Sequence, residues 1–273
     1  MEIRKGSVDG GIMKVVILAG GKGTRISEES VYRPKPMVTI GGYPILWHIM
    51  KIYSKYGFND FIICCGYKGE YIKRYFLNYG MHHGIVELDM SDWKANGQVT
   101  FKQNHSVTEN WNVLCANTDL ETLTGNRILK IKDYIGDDEE FMITYGDGVA
   151  DIDIPRLIEF HRKKGRLLTI SVTRPEGRFG AVLINENGCV ESFKEKARRN
   201  QSYVNMGFMV ANRNLFNYLS EESEMLEKGP FERLVAAGQM SAYKHEGFWS
   251  PMDNIHDRAY LEKLWNAGAP WFF

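Results

Sequence analysis

Three glycines fall within four residues at Gly20, Gly21 and Gly23, followed at once by Thr24 and Arg25 and, one loop later, by Lys35 between Pro34 and Pro36. Glycine reaches positive φ without steric cost and lets a ligand approach the main chain. A run of this kind can therefore turn several backbone N–H groups toward one anion. Arg25 and Lys35 bring two cations to the same place, and the flanking prolines hold the second on an extended arm. Phosphate is the guest this chemistry suits. The spacing is not the dinucleotide fingerprint, because counting from Gly21 the last glycine position is Ile26. It is not a Walker A loop either, since no Gly-Lys-Ser/Thr follows four free residues.

Two carboxylates stand out further along. Asp147 lies between Gly146 and Gly148, just after the apolar run Phe141 to Tyr145. A small, accessible carboxylate at a strand end suits Mg²⁺, which takes one or two carboxylates and completes its shell with phosphate oxygens and water. It equally suits a plain turn. Asp253, at the end of the segment from Trp249, is placed either to join the same ion or to cap a helix starting near Ile255. Asp151 and Asp153 are assigned to capping and solvent.

These groups need a scaffold, and the apolar pattern supplies one. Lys14 to Leu18 reads as a buried parallel strand that ends at the glycines. A helical period runs from Pro44 to Tyr56 and stops at Gly57; a second strand follows at Phe61 to Cys65, then a helix from Lys68 to Tyr79. That β-α-β-α order predicts parallel strands joined by right-handed crossovers. Residues 86–115 read as an excursion of short, irregular strands. Helix resumes at Thr124 to Ile131, and the strand Phe141 to Tyr145 delivers Asp147. Asp153 caps a helix running to Lys164 with Pro155 in its first turn. Strands are expected at 167–173, 179–184 and 190–193, with a hairpin turn at Glu186 to Gly188, and again at 208–211. Helices near 231–237 and 255–265 close the chain. In an open α/β sheet ligands sit beyond the carboxyl ends of the strands, where the glycine loop and Asp147 both lie.

The chain has 273 residues with Lys+Arg 34 against Asp+Glu 34, so it carries no basic field for nucleic acid. Its four cysteines, Cys64, Cys65, Cys115 and Cys189, have no C-x-x-C spacing and read as reduced packing residues rather than a zinc or redox site. No apolar run approaches the ~20 residues of a membrane span. Residues 1–12 lack the apolar core of a signal peptide and read as an extension outside a single domain at 13–273. A cytoplasmic enzyme with no membrane or nucleic-acid partner is expected.

Taken together, the motifs Ile17 to Arg25, Pro34 to Met37, Pro44 to His48, Tyr145 to Gly148 and Gly247 to Asp253 resemble those of the sugar-1-phosphate nucleotidylyltransferases, most closely the branch that uses CTP. The likeness runs from Met13 to Trp271. It implies a Rossmann-like fold of the nucleotide-diphospho-sugar transferase type: a mixed, mostly parallel sheet flanked by helices, with a small β excursion. It implies attack by a sugar 1-phosphate oxygen on the α-phosphorus of CTP with release of pyrophosphate, Mg²⁺ as cofactor on Asp147 and Asp253, and a homo-oligomer. The reaction needs mostly positioning and charge neutralisation.

By the same resemblance Arg25, Lys35 and Lys196 are catalytic. The nucleotide is held by Leu18, Ala19, Gly20, Gly21, Gly23, Thr24, Gly125, Arg127, Tyr145 and Gly146, and the sugar phosphate by Glu195, Lys196, Asn205 and Gly207. Two departures bear on the acceptor. Ala197 replaces the proline of the family's Glu-Lys-Pro, and Met206 replaces a glycine of its Asn-Gly-Gly-Phe, which points to a remodelled acceptor site that takes a modified sugar 1-phosphate or another phosphate monoester. The same chemistry with UTP or dTTP is the nearest alternative, and a non-catalytic sugar-nucleotide-binding regulator is the alternative from another class. The aromatic closing segment 265–273 is expected to meet another subunit.

Overall fold

The computed structural model describes residues 13–23, 32–89, 98–102, 109–174, 181–184, 190–194 and 202–272. Strand β1 (Val15–Ala19) is buried along its whole length, as an unbroken apolar run demands. A short hairpin of β2 (Thr39–Ile40) and β3 (Tyr43–Pro44) leads into helix α1 (Ile45–Ser54), which ends before Gly57 at φ 86° and hands on to β4 (Asp60–Cys65). Helices α2 (Gly69–Leu77) and α3 (Tyr79–His83) follow, then the antiparallel pair β5 (Ile85–Asp89) and β6 (Gln98–Lys102), strand β7 (Asn112–Asn117), and helices α4 (Thr124–Lys130) and α5 (Lys132–Ile135). Next come β8 (Glu140–Tyr145), β9 (Gly148–Ala150), α6 (Ile154–Lys164), β10 (Leu168–Thr173), the antiparallel pair β11 (Ala181–Ile184) and β12 (Val190–Lys194), and β13 (Val204–Asn212). Helix α7 (Pro230–Ala236), β14 (Met240–Lys244), β15 (Trp249–Pro251) and α8 (Ile255–Asn266) complete the chain.

Seven strands form one sheet in the order β14-β10-β13-β8-β1-β4-β7. Neighbours are parallel except where β13 runs against β10 and β8. This is the mixed, mostly parallel α/β sheet expected, and the antiparallel β5–β6 pair is the small excursion. Strand β7 departs from the expectation: its residues were grouped with the excursion, yet it pairs in parallel with β4 as the sheet's edge. Strand β7 is only partly buried, so Asn112 to Asn117 lacks the unbroken apolar run that marks the central strands.

Side chains alternate across the sheet and build a core on each face. Val15, Ile17 and Ala19 pack with helix α1 and the closing helix on one side. Val16 and Leu18 pack with Ile128, Ile131 and Leu234 on the other. Adjacent Cys64 and Cys65 divide between the two cores, and the described cysteines Cys64, Cys65 and Cys115 are free thiols. Among the described residues no helix is long and apolar enough to cross a membrane. The expected turn at Glu186 to Gly188, Cys189 and residues 1–12 lie outside the described residues.

The end of the chain corrects an expectation. Trp271 is only 3% exposed; it stacks on Phe248 and donates its indole N–H to His48 Nδ1 at 3.3 Å. Trp265 and Trp271 thus pack inside the same chain, against the core that holds α1, whereas Phe272 is 37% exposed and Phe273 lies outside the described residues. Nothing local in a nine-residue stretch could reveal a partner more than two hundred positions upstream.

Candidate active site

The glycine loop is fixed from below. Arg127, on α4, is 3% exposed and fans its guanidinium over Thr118 Oγ1, the Asp119 carbonyl (2.9 Å) and the Gly20 carbonyl (3.1 Å). Burial pushes its pKa below the ordinary arginine value, with Cys64 and Asp119 opposing. The Tyr67 N–H donates to the same Gly20 carbonyl at 3.1 Å. A Cβ on Gly20 would overlap the Arg127 guanidinium, so glycine is required there for close approach rather than for turn geometry. Arg127 was expected among the residues that hold the nucleotide. It does line the crevice, but its donors hold the loop and residues 118–120 in place.

Lys35 lies in a single 3₁₀ turn, Lys35–Met37, entered from an extended Pro34. The prolines therefore hold a tight turn, not the extended arm expected. Gly146 leaves room for it, since a Cβ there would press on Pro36 and the Leu18 carbonyl. From this turn Lys35 Nζ reaches Asp147 Oδ2 at 2.6 Å and Asp253 Oδ1 at 2.8 Å, with its side chain 11% exposed. Burial pushes the ammonium pKa down, but the two carboxylates more than offset that, leaving it above the ordinary lysine value.

The two aspartates converge through a ribbon that the sequence did not suggest. Strands β9 and β15 pair antiparallel, Gly148 opposite Pro251 and Ala150 opposite Trp249, and the Met252 N–H donates to the Asp147 carbonyl at 2.8 Å. The cap of α8 is Asn254, which accepts from the Asp257 N–H at 3.0 Å while the Asp257 carboxylate accepts from the Asn254 and Asp253 N–H groups in return. Capping is thus done one residue later, and Asp253 directs its carboxylate to Lys35.

Ala19, Gly20, Gly21, Lys35, Asp147 and Asp253 line one crevice of about 620 Å³. It opens beyond the carboxyl ends of β1 and β8, as the rule for open α/β sheets requires. Leu18, Gly23, Tyr145 and Gly146 line it too. Tyr145 is half-buried and donates its hydroxyl to Glu227; desolvation and the Glu227 charge push its pKa far above the ordinary tyrosine value. Asn205 and Gly207 are not among the lining residues: they seat Tyr145. Gly207 adopts φ 87° against the Tyr145 ring, where a Cβ would overlap, and its N–H donates to Asn205 Oδ1 at 2.9 Å. Gly125 likewise seats a neighbour, donating to the Glu224 carbonyl at 3.2 Å. Thr24, Arg25, Glu195, Lys196 and Ala197 lie outside the described residues.

Met206 is a further correction. Its side chain is 4% exposed within the core that holds Ile17 and Phe208, while its carbonyl accepts from Trp249 Nε1 at 3.1 Å. The extra bulk is absorbed by packing and does not enter the crevice. Among the crevice residues that sequence reasoning missed are Met225 and Glu227. They sit in a loop with no motif of its own, brought in because Thr124 Oγ1 accepts from the Leu226 N–H at 2.8 Å.

A glycine loop, a lysine and two aspartates at one crevice of a parallel sheet define an enzyme that handles phosphorylated nucleotides. The Nucleotidyl transferase family model matches residues 14–257. The chain belongs to that family. The glucose-1-phosphate cytidylyltransferases of Salmonella typhi and Salmonella typhimurium are each 47% identical to it over 260 residues, which is 95% of this chain and 98% of theirs. HddC from Yersinia pseudotuberculosis, a crystal structure, has the same fold: TM-score 0.65 at 22% identity, over 93% of this chain and 99% of that one.

Proposed function

We propose that the protein transfers the cytidylyl group of CTP to glucose 1-phosphate, giving CDP-glucose and pyrophosphate. The observation that carries this reading is the meeting of Lys35, Asp147 and Asp253 at the mouth of the glycine loop. The relatives' names supply the substrates, and the core position of Met206 removes the main reason for a remodelled acceptor site.

In the reaction a phosphate oxygen of glucose 1-phosphate forms a bond to the α-phosphorus of CTP. The bond from that phosphorus to the β-bridging oxygen breaks, and its electron pair leaves on pyrophosphate. The loop amides from Gly20 to Gly23, with Arg25, hold the departing β,γ-unit. Lys35 neutralises charge growing on the α-phosphate, Lys196 grips the sugar phosphate, and Glu195 accepts hydrogen bonds from the sugar hydroxyls. Among the described residues no group of three or more metal-binding side chains is present, so a metal held here would take most of its shell from phosphate and water. The paired Asp147 and Asp253 carboxylates fit such an ion, and Mg²⁺ held by them would supply Lewis-acid stabilisation of the phosphate charge.

The test is pyrophosphate release with glucose 1-phosphate and each of CTP, UTP, dTTP and GTP, run beside other sugar 1-phosphates with CTP. The expected result is the highest kcat/KM for CTP with glucose 1-phosphate. Preference for UTP or dTTP would reassign the nucleotide, and absence of turnover with every pair would leave a binding protein.

A further inference from the structure

Beyond the glycine loop the crevice changes character. Leu120, Leu123 and Met225, all more than a third exposed, line it together with Leu18. Large apolar side chains left open along one cleft make a slot for a flat, weakly polar group. Glu227 enters the same wall two residues after Met225.

Its carboxylate is unusual among the acids of the crevice. Asp147 and Asp253 share the Lys35 ammonium, and Glu121 pairs with Lys22 at 2.7 Å. Glu227 has hydroxyl partners among the described residues: Tyr145 donates to one oxygen and Thr124 Oγ1 to the other at 3.0 Å. Each carboxylate oxygen has two acceptor positions, so one on each remains. The loop that bears it is tied down. Asn126 Nδ2 donates to the Ser220 and Glu222 carbonyls at 3.0 and 2.9 Å, and Arg233 binds Glu224. An acceptor held this firmly loses little freedom on binding.

A negative group with no donors of its own repels phosphate and carbonyl oxygens and takes N–H or O–H groups. If the crevice holds CTP as proposed above, on which this inference rests, the phosphates lie toward Lys35 and the base toward the apolar slot. Cytosine carries an amino group at position 4, where uracil and thymine carry a carbonyl. We infer that Glu227 selects the nucleobase, accepting a hydrogen bond from the cytosine 4-amino group and turning away the O4 of uracil and thymine.

The experiment compares kcat/KM for CTP and UTP in the wild type and in Glu227→Gln, whose amide can donate to O4. The CTP/UTP preference is expected to fall by about tenfold or more, with UTP gaining as CTP loses. A parallel fall of both nucleotides, with the ratio kept, would mean that Glu227 only seats Tyr145 and would overturn the inference. Should the variant fail to fold, the wild type still decides: the triphosphate of 2-pyrimidinone riboside lacks the 4-amino group, and turnover equal to that of CTP rules the contact out. Wild-type preference for a nucleotide other than CTP sinks the functional reading instead, and is seen before any variant is made.

Discussion

The Met252 N–H donates to the Asp147 carbonyl across 2.8 Å, closing the β9–β15 ribbon at the point where both aspartates leave it. The ribbon's main-chain bonds hold two carboxylates side by side at the cost of gathering charge around one ammonium, an arrangement better explained by ligand binding than by stability.

Asp147→Asn should therefore lower kcat by about 10²-fold or more while the thermal midpoint stays close to the wild type, because the ribbon is made by the main chain. Asp253→Asn should do the same. If the two carboxylates act as one unit, the double variant should be little worse than either single one. Steady-state kinetics with a melting curve for each protein checks this, and near-normal turnover in Asp147→Asn would end the metal role.

Lys35 stands between those carboxylates. Lys35→Ala should reduce kcat by roughly 10²-fold, by removing a cation from the developing charge. It should also let the nucleotide-free protein bind Mn²⁺ more tightly, since no ammonium competes for Asp147 and Asp253. Titration followed by Mn²⁺ electron paramagnetic resonance separates the two effects; weaker metal binding in the variant would contradict the competition.

Gly20→Ala puts a methyl group into the Arg127 guanidinium. Overpacking of this kind costs about 1–3 kcal/mol, and here it also disturbs the loop amides. A lower urea midpoint together with a raised KM for the nucleotide is expected. Gly21→Ala meets no atom and serves as the control for stability.

His48 gives the fold a dependence on pH. Its Nε2 bonds the Ile40 carbonyl at 2.9 Å and its Nδ1 accepts from Trp271, so the neutral ring is fully satisfied; burial lowers its pKa to about 4, with the bonds to Ile40 and Tyr43 opposing. The unfolded chain protonates this histidine near pH 6.5. Above that value the contribution is complete; as pH falls toward 4 the unfolded state takes up a proton that the folded state refuses. Stability should thus fall by on the order of 3 kcal/mol across that window. His161, also lowered by burial, adds in the same direction. Urea midpoints at several pH values should show a flatter slope in His48→Gln.

Local patterns reveal what short stretches determine. The run Val15 to Ala19, the period of Ile45 to Ser54 and the Asp153 cap with Pro155 all form where residue order places them, because each depends on neighbours within a turn or two. The glycine loop was legible for the same reason. What stayed hidden was set by distance. Asp253 read as either ligand or cap until β15 was seen to pair with β9. Met206 read as bulk in a binding site because nothing in its neighbours says which way strand β13 turns that side chain. Glu227 went unnoticed because its place depends on Thr124 and Tyr145, roughly a hundred positions before it.

The ribbon also orders events during synthesis. Its second strand follows the first by about a hundred residues, so a nascent polypeptide can build the glycine cradle on the ribosome long before the opposing carboxylate emerges. The charge cluster becomes whole only when Asp253 has been made, about a hundred positions after Asp147, and chains that stop before it, however well they fold, lack one of its two carboxylates.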